Sequence, residues 1–286
     1  MVLVPLLLSS ALGAEGVCER YDSPERRSRL HVEGLTESSG VVQSRLHEET
    51  WYTHNDSGGA AELFPFTLDG EHRETISFDR DAWDWEDLAA GACPGGEGSC
   101  IYVGDIGDNP KERPRVWVHA FRELEEGGVT PEPVASWRLA YPEGARNAEA
   151  LLHDPIDGRL YIVTKRNGPA VVYRLPEEPG EGVLEEMGRL EQVPNGVKVQ
   201  SITAGEFSQD GGGLVLRSYL GAFLWRFESG GSREFWNQQP ERVGLRLETQ
   251  GEAIAFARDG SLVTTSEGDV TPVTVVPCRQ EPSGGE

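Results

Sequence analysis

Six carboxylates lie within one short stretch of the chain, residues 84 to 109, with the sequence DWEDLAAGACPGGEGSCIYVGDIGDN, and five of them lie outside the loop PGGEGS. These five flank two short apolar runs and are Asp84, Glu86, Asp87, Asp105 and Asp108. Ionised carboxylates repel one another, so their concentration beside apolar segments requires an explanation. A metal site, a catalytic pair and a solvated rim are the three alternatives.

The glutamate of this stretch belongs to a repeat. WEDLAAG, AEALLHDPIDG and GEAIAFARDG each place a Glu before a short apolar strand, and TESSGVV and TAGEFSQDG follow the pattern more weakly. The repeated positions are Glu37, Glu86, Glu149, Thr203 and Glu252, at steps of 49, 63, 54 and 49 residues. If the repeats surround an axis, these side chains form a ring at one end of it.

Carboxylates that converge on one axis have raised pKa values or bind a cation. We expect Ca²⁺, because all the ligands are oxygens and unequal repeats give an irregular geometry. The expected ligands are Glu37, Glu86, Asp105, Glu149 and Glu252. The alternative is that each Glu accepts backbone N–H bonds from the neighbouring repeat and staples the fold. Asp108, which precedes Asn-Pro, is expected to cap a turn.

Candidate catalytic residues lie at the ends of the strands that follow. His54 in HNDSGG titrates near neutral pH and could act as a base, although the segment also fits a simple turn. Lys165 in VTKRN and Arg217 in LRSY could hold an anionic ligand, or serve as counter-ions of the carboxylate ring. The sequence leaves these alternatives open.

Each repeat contains several short strands over roughly 50 residues, which is typical of a β-propeller blade. The sequence therefore predicts an all-β fold, most simply a five-bladed β-propeller, with six blades as the alternative. The last repeat ends at its third strand, so the N-terminal segment SRLHVEGL at 28–35 is expected to supply the closing strand.

Four cysteines fit an oxidising compartment. Cys93 and Cys100 flank a loop between two strands, where we expect a local disulfide. Cys18 and Cys278 lie near the two ends of the chain, where a disulfide would clasp the closure. Zinc is disfavoured, because no CxxC pair or nearby His completes a ligand set.

The composition and the N-terminal sequence limit the cellular location and the classes of binding partner. Residues 1–13 are interpreted as a signal peptide and 14–286 as a single propeller domain, in a secreted or periplasmic protein. The alternative for the first segment is a buried strand, because it has no Lys or Arg before its apolar run. A net charge of −22 disfavours nucleic acid as a partner, and the apolar run is too short for a membrane span.

The signatures ESSGVV (37–42), WEDLA (85–89) and AEALL (148–152), with the polar clusters HNDSGG (54–59) and GDIGDN (104–109), resemble bacterial secreted propellers. The families concerned are the esterase-like phytase and SdiA-regulated propellers. The resemblance covers most of the chain after about residue 30. It implies a propeller that holds a calcium ion at the mouth of its central channel.

Two functions are therefore expected. The first is a ligand-binding or scaffold module for a small-molecule or cell-envelope ligand, including an anionic one. The second is a metal-dependent hydrolase of a phosphoester or lactone-type ester, with His54 or a ring Glu as base and Lys165 and Arg217 steadying the anion. We prefer binding, because no residue set pairs a nucleophile with a base. The sequence also lacks the GxSxG, HExxH, P-loop and dinucleotide motifs.

Overall fold

The structure is a computed structural model that describes residues 16–166, 168–191 and 198–279. Within these ranges the chain forms five small sheets and a short 3₁₀ helix at Phe235–Asn237. None of the helices in the described ranges is long and apolar enough to cross a membrane. The predicted signal peptide, residues 1–13, lies outside the described residues.

The strands are short and follow one another with little else between them. In chain order they are β1 (Glu25–Leu30), β2 (Ser38–Gln43), β3 (Trp51–Asn55), β4 (Glu62–Phe66), β5 (Ile76–Ser77), β6 (Trp85–Ala92), β7 (Ser99–Asp105), β8 (Val116–Arg122), β9 (Ala135–Ala140), β10 (Ala148–His153), β11 (Leu160–Thr164), β12 (Val171–Arg174), β13 (Gly180–Val183), β14 (Glu185–Arg189), β15 (Ile202–Phe207), β16 (Gly213–Ser218), β17 (Gly221–Arg226), β18 (Glu241–Val243), β19 (Gly251–Phe256), β20 (Leu262–Ser266) and β21 (Thr271–Val276).

Each sheet is one blade of a five-bladed β-propeller, which confirms the predicted fold and blade number. Blade 1 has the order β2-β3-β4-β5, blade 2 β6-β7-β8-β9 with β13 added in parallel outside β9, blade 3 β10-β11-β12-β14, and blade 4 β15-β16-β17-β18. Blade 5 has the order β19-β20-β21-β1. The innermost strands β2, β6, β10, β15 and β19 surround the axis.

The ring of blades is closed as the sequence predicts. Strand β1 pairs antiparallel with β21, so the N-terminal segment completes the last blade. The Cys18–Cys278 disulfide and a bridge between Tyr21 and Cys278 lie beside this pairing. The Cys93–Cys100 disulfide links β7 to the loop that precedes it.

The hydrophobic core consists of five clusters, one between each pair of neighbouring blades. Adjacent residues on an innermost strand point to opposite faces of the blade and so join different clusters. In β2, for example, Val41 packs towards blade 5 and Val42 towards blade 2. This alternation is why the innermost strands have almost no exposed residues.

Every innermost strand has a register shift near its N-terminal end, and these ends share one face of the propeller, called here the channel mouth. The shifts lie between Ser38 and Val41, Trp85 and Asp87, Ala148 and Ala150, Ile202 and Ala204, and Gly251 and Ala253. A bulge sets an extra residue in one strand and changes the direction of its side chain. The extra residues in blades 2 to 5 are Glu86, Glu149, Thr203 and Glu252, so the repeated position is a bulge position.

The strand register corrects the sequence alignment in blade 1. There the bulge contains Ser39 and Gly40, and Ser39 takes the position that Glu86 has in blade 2. Glu37 precedes the strand and is exposed. The reason is that the Glu in ESSGVV lies two residues too early for the bulge.

Candidate functional site

Three carboxylates meet at the channel mouth. One oxygen from each of Asp56, Asp84 and Glu86 lies within 4.8 Å of the others, and we call these residues the acidic triad. Asp56 directly follows the end of β3 in blade 1, Asp84 directly precedes β6 in blade 2, and Glu86 is the bulge residue of β6. The triad therefore joins two neighbouring blades.

A glycine forms the wall of the triad. A Cβ atom built on Gly107 would lie 2.1 Å from Glu86 Oε1 and 2.6 Å from Asp84 Oδ2. The Gly107 N–H donates to the Asp84 carbonyl at 3.1 Å, which holds the loop after β7 against the segment that carries Asp84. The carboxylates thus occupy the space that any side chain at position 107 would need.

The triad carries more negative charge than its surroundings accommodate without a proton or a cation. Burial, reinforced by Asp84 and Glu149, raises the pKa of Asp56 from 3.8 to about 7. Burial also raises the pKa of Asp84, and it raises that of Glu86 well above its usual range, with Glu149 and Asp56 adding to the effect. Glu86 is 2% exposed, and no described residue donates a hydrogen bond to its carboxylate.

Asp105 lies next to the triad with both oxygens engaged. Its Oδ1 pairs with Arg113 at 2.6 Å and accepts the Asp84 N–H at 3.2 Å, while Oδ2 accepts the Trp83 N–H at 3.3 Å. Asp105 therefore positions the segment of Asp84, and Arg113 compensates its charge. Asp108 accepts the N–H groups of Glu112 and Arg113 and caps the turn as expected, although it is buried.

The carboxylates of blades 3 and 5 are joined by a chain of polar contacts beside the triad. Glu149 Oε2 accepts from Lys165 Nζ at 2.6 Å, Lys165 donates to the Tyr219 hydroxyl at 2.8 Å, and Tyr219 donates to Glu252 Oε1 at 3.0 Å. Burial lowers the pKa of Lys165, but the ion pair with Glu149 outweighs it and the net direction is upward. Glu252 is 4% exposed, and its Oε2 has no partner in the described ranges.

His54 is an internal residue of blade 1. Its Nε2 accepts the Gly40 N–H at 3.0 Å, and its Nδ1 lies 2.6 Å from the Asn55 carbonyl, which fixes a neutral tautomer with Nδ1 protonated. Burial lowers the pKa of His54 to about 4, and its ring packs edge-on against Trp85. Both nitrogens are committed to the backbone, so the geometry gives this imidazole no free atom for a substrate.

Arg217 is also internal rather than open to the mouth. It is 2% exposed, and its guanidinium pairs with Glu248 at 2.6 Å and donates to the carbonyls of Ala253 and Thr265. These contacts tie blade 4 to blade 5. The hypothesis that Arg217 steadies an anion has no accessible donor to support it, whereas Lys165 is partly exposed at the mouth.

Two other carboxylates staple the blades together. Asp87 accepts the N–H of Leu88 at 2.9 Å, of Leu151 in blade 3 at 3.0 Å, and of Gly205 in blade 4 at 3.1 Å. Glu206 accepts the Phe256 N–H of blade 5 at 2.6 Å and pairs with Arg45 at 3.1 Å. Stapling, which the sequence offered as the alternative role of the repeated Glu residues, is therefore performed by Asp87 and Glu206.

Sequence reasoning found part of the site. Glu86 lies in the triad, with Glu149 and Glu252 in the adjacent polar chain, while Glu37 and Asp105 lie outside the triad. Sequence analysis did not select Asp56 and Asp84, the other two members of the triad. A signal for Asp84 was available, because it lies only two residues before Glu86 in the sequence.

No protein-family model matches the sequence, and no curated protein matches it. Among solved structures, two described as glucose dehydrogenase are similar to this chain at 12% identity. Each alignment covers 90% of this chain and 100% of the other, with TM-scores of 0.49 and 0.47.

Proposed function

We propose that this protein is a secreted β-propeller that binds Ca²⁺ at its channel mouth and presents that face to a small-molecule or cell-envelope ligand. The observation that carries the proposal is the acidic triad, in which oxygens of Asp56, Asp84 and Glu86 lie within 4.8 Å of one another. Carboxylate oxygens are ligands of hard cations, and Ca²⁺ tolerates an irregular ligand arrangement. Two disulfides support an oxidising compartment.

The surroundings of the triad fit a cation. Glu86 is 2% exposed and accepts no hydrogen bond from the described residues at its carboxylate, and Glu252 Oε2 is buried without a partner among them. A buried carboxylate without a partner is costly, and a bound cation offsets that cost. Asp105 and Gly107 hold the loop segments in place, so the ligand set is formed before a cation arrives.

The test is thermal unfolding of metal-free protein with and without millimolar Ca²⁺, with Mg²⁺ for comparison. A ligand at about a thousand times its dissociation constant stabilises by about 4 kcal/mol, which corresponds to a shift of several degrees in a chain of this size. Glu86→Gln should abolish the Ca²⁺ shift, because it removes a charged ligand.

Glu37→Gln is the matched variant, since it removes the same charge from the same face outside the triad. It should keep the full Ca²⁺ shift. Loss of the shift in this variant would favour the wider ring over the triad. No shift in the wild-type protein would exclude the Ca²⁺ site.

A second candidate is metal-dependent hydrolysis of a phosphoester or lactone-type ester. The observation that favours it is an open cavity of about 760 Å³ lined by Lys165, whose ion-pair partner Glu149 lies beside the triad. Turnover of phosphoester or lactone substrates that requires Ca²⁺ and is lost in Glu86→Gln would establish this reaction. Ca²⁺ binding without turnover of these substrates would count against hydrolysis and leave ligand binding as the proposed function.

A further inference from the structure

The cavity beside the triad is strongly basic. It opens at the channel mouth between blades 2, 3 and 4 and has a volume of about 760 Å³. Its lining includes four cationic side chains, Lys111, Arg146, Lys165 and Arg166. Two of the three lysines of the chain are among them, in a protein whose net charge is −22. The acidic composition of the chain does not explain why four cationic side chains line one cavity.

Carboxylates compensate only part of this charge. Lys165 pairs with Glu149 at 2.6 Å, and Arg146 approaches Glu143 at 3.7 Å. Across the described ranges of the chain, neither Lys111 nor Arg166 takes part in a salt bridge. Two cations therefore line the cavity without an acidic partner among the described residues.

The wall of this cavity contains unusual backbone conformations. Lys111 has a φ of 59° and Ser201 a φ of 52°, and in the described ranges they are the two non-glycine residues with positive φ. Residues with a side chain adopt this conformation rarely and at an energetic cost, and such residues concentrate at ligand sites. Both line the cavity, and the Ser201 N–H donates to the Arg166 carbonyl at 3.1 Å. Lys111 is itself one of the cations of the cavity, and Ser201 holds the segment that carries Arg166.

We propose that this basic cavity binds an oxyanion, the phosphate or carboxylate group of a small molecule. The proposal rests on the proposed ligand-binding role of the channel mouth and names the chemical class of the ligand. Lys and Arg N–H groups are the charged donors that fit such oxygens, and Arg can supply two parallel bonds. Lys165 lines the cavity and pairs with Glu149, so an oxyanion held in the cavity lies next to the carboxylates of the channel mouth.

The test is calorimetric titration of inorganic phosphate, and separately of citrate, into protein stripped of metal on a chelating resin. No soluble chelator is added, because chelators are themselves polycarboxylates. We expect saturable binding of at least one anion, and the stronger of the two identifies the class. The variant Lys111→Gln with Arg166→Gln should weaken it about tenfold or more, because two charged hydrogen-bond donors are lost.

The matched control is Arg26→Gln with Arg242→Gln, which lowers the net charge equally at exposed positions of β1 and β18. It should bind the anion as the wild type does. Equal weakening in both double variants would show a general charge effect and overturn the proposal, as would the absence of binding by either anion. If the cavity double variant does not fold, Arg166→Gln alone replaces it.

These outcomes are separate from the fate of the Ca²⁺ proposal. The titration uses metal-free protein, so its outcome does not depend on whether Ca²⁺ binds. Failure of Ca²⁺ binding leaves an observed anion site standing. Failure of anion binding leaves an observed Ca²⁺ shift standing.

Discussion

Gly107 and Glu86 are in direct contact, because a Cβ atom at position 107 would lie 2.1 Å from Glu86 Oε1. The same Cβ would lie 2.4 Å from Asp84 Cγ. Glycine is the residue that permits a backbone to approach a ligand site this closely. The loop sequence GDIGDN therefore contributes to the triad through the absence of a side chain as well as through Asp105.

We expect Gly107→Ala to weaken Ca²⁺ binding about tenfold or more, because the methyl group displaces two ligand side chains. The new methyl meets flexible side chains rather than backbone, so the fold should persist with a loss of about 1–3 kcal/mol in the free energy of unfolding. Calorimetry gives the affinity and thermal unfolding gives the stability. Gly59→Ala is the control, since its nearest neighbour is Asn55 Cβ at 3.5 Å. Unchanged Ca²⁺ affinity in Gly107→Ala would mean that the ion binds elsewhere.

The stapling carboxylate Asp87 and the proposed Ca²⁺ ligand Glu86 should affect stability differently. Asp87 accepts three backbone N–H groups from three blades, so Asp87→Ala should lower the free energy of unfolding by about 3–5 kcal/mol. Glu86→Ala should cost far less in metal-free protein, because its carboxylate accepts no hydrogen bond from the described residues and its charge is unfavourable there. Urea unfolding of both variants without metal makes the comparison. Equal losses would assign a stapling role to Glu86 as well.

The repeat made the fold predictable. A short apolar strand followed by two further strands recurs at steps of 49 to 63 residues, and each repeat forms one blade. The cysteine positions predicted the closure, because only the ends of the chain and one hairpin offered pairs. These features are local or periodic, so they can be recognised in a single sequence.

The site was only partly predictable, because bulges and loop approach depend on three-dimensional structure. The repeated Glu marks a bulge, but nothing in ESSGVV indicates that blade 1 bulges at Ser39 and Gly40. His54 beside Asp56 suggested a base, whereas the fold turns the imidazole inward and leaves Asp56 at the mouth. The burial of Arg217 likewise follows from the packing of blade 4 on blade 5. The local sequence LRSY does not indicate this packing.

The two disulfides should contribute unequally to stability. Cys18 and Cys278 are 260 residues apart, whereas Cys93 and Cys100 are 7 apart. By loop entropy, the long-range bridge stabilises by about 5–6 kcal/mol and the local one by about 2 kcal/mol. Urea unfolding of Cys18→Ala with Cys278→Ala, against Cys93→Ala with Cys100→Ala, measures the difference. A larger loss in the second pair would show that the ring closure is held mainly by the β1–β21 pairing.

Metal-free protein should lose stability as the pH rises from about 4 to about 7. Burial raises the pKa of Asp56 from 3.8 to about 7 and that of Glu149 from 4.5 to about 7. Between the unfolded and folded values the native state binds more protons than the unfolded state, so the free energy of unfolding falls with pH and levels off above about 7. Asp56→Asn with Glu149→Gln should flatten this slope in thermal unfolding.

Ca²⁺ should act in the opposite direction, because it binds the ionised carboxylates and competes with protons for them. The Ca²⁺-dependent rise in melting temperature should therefore be small at about pH 5 and should grow as the pH passes through 7, the pKa of Asp56. Thermal unfolding at fixed Ca²⁺ across this range, with metal-free protein at each pH, measures the difference. Mg²⁺ at the same concentrations controls for ionic strength. A Ca²⁺ shift that stays constant across this pH range would show that the cation does not displace protons, and so that it binds away from Asp56 and Glu86.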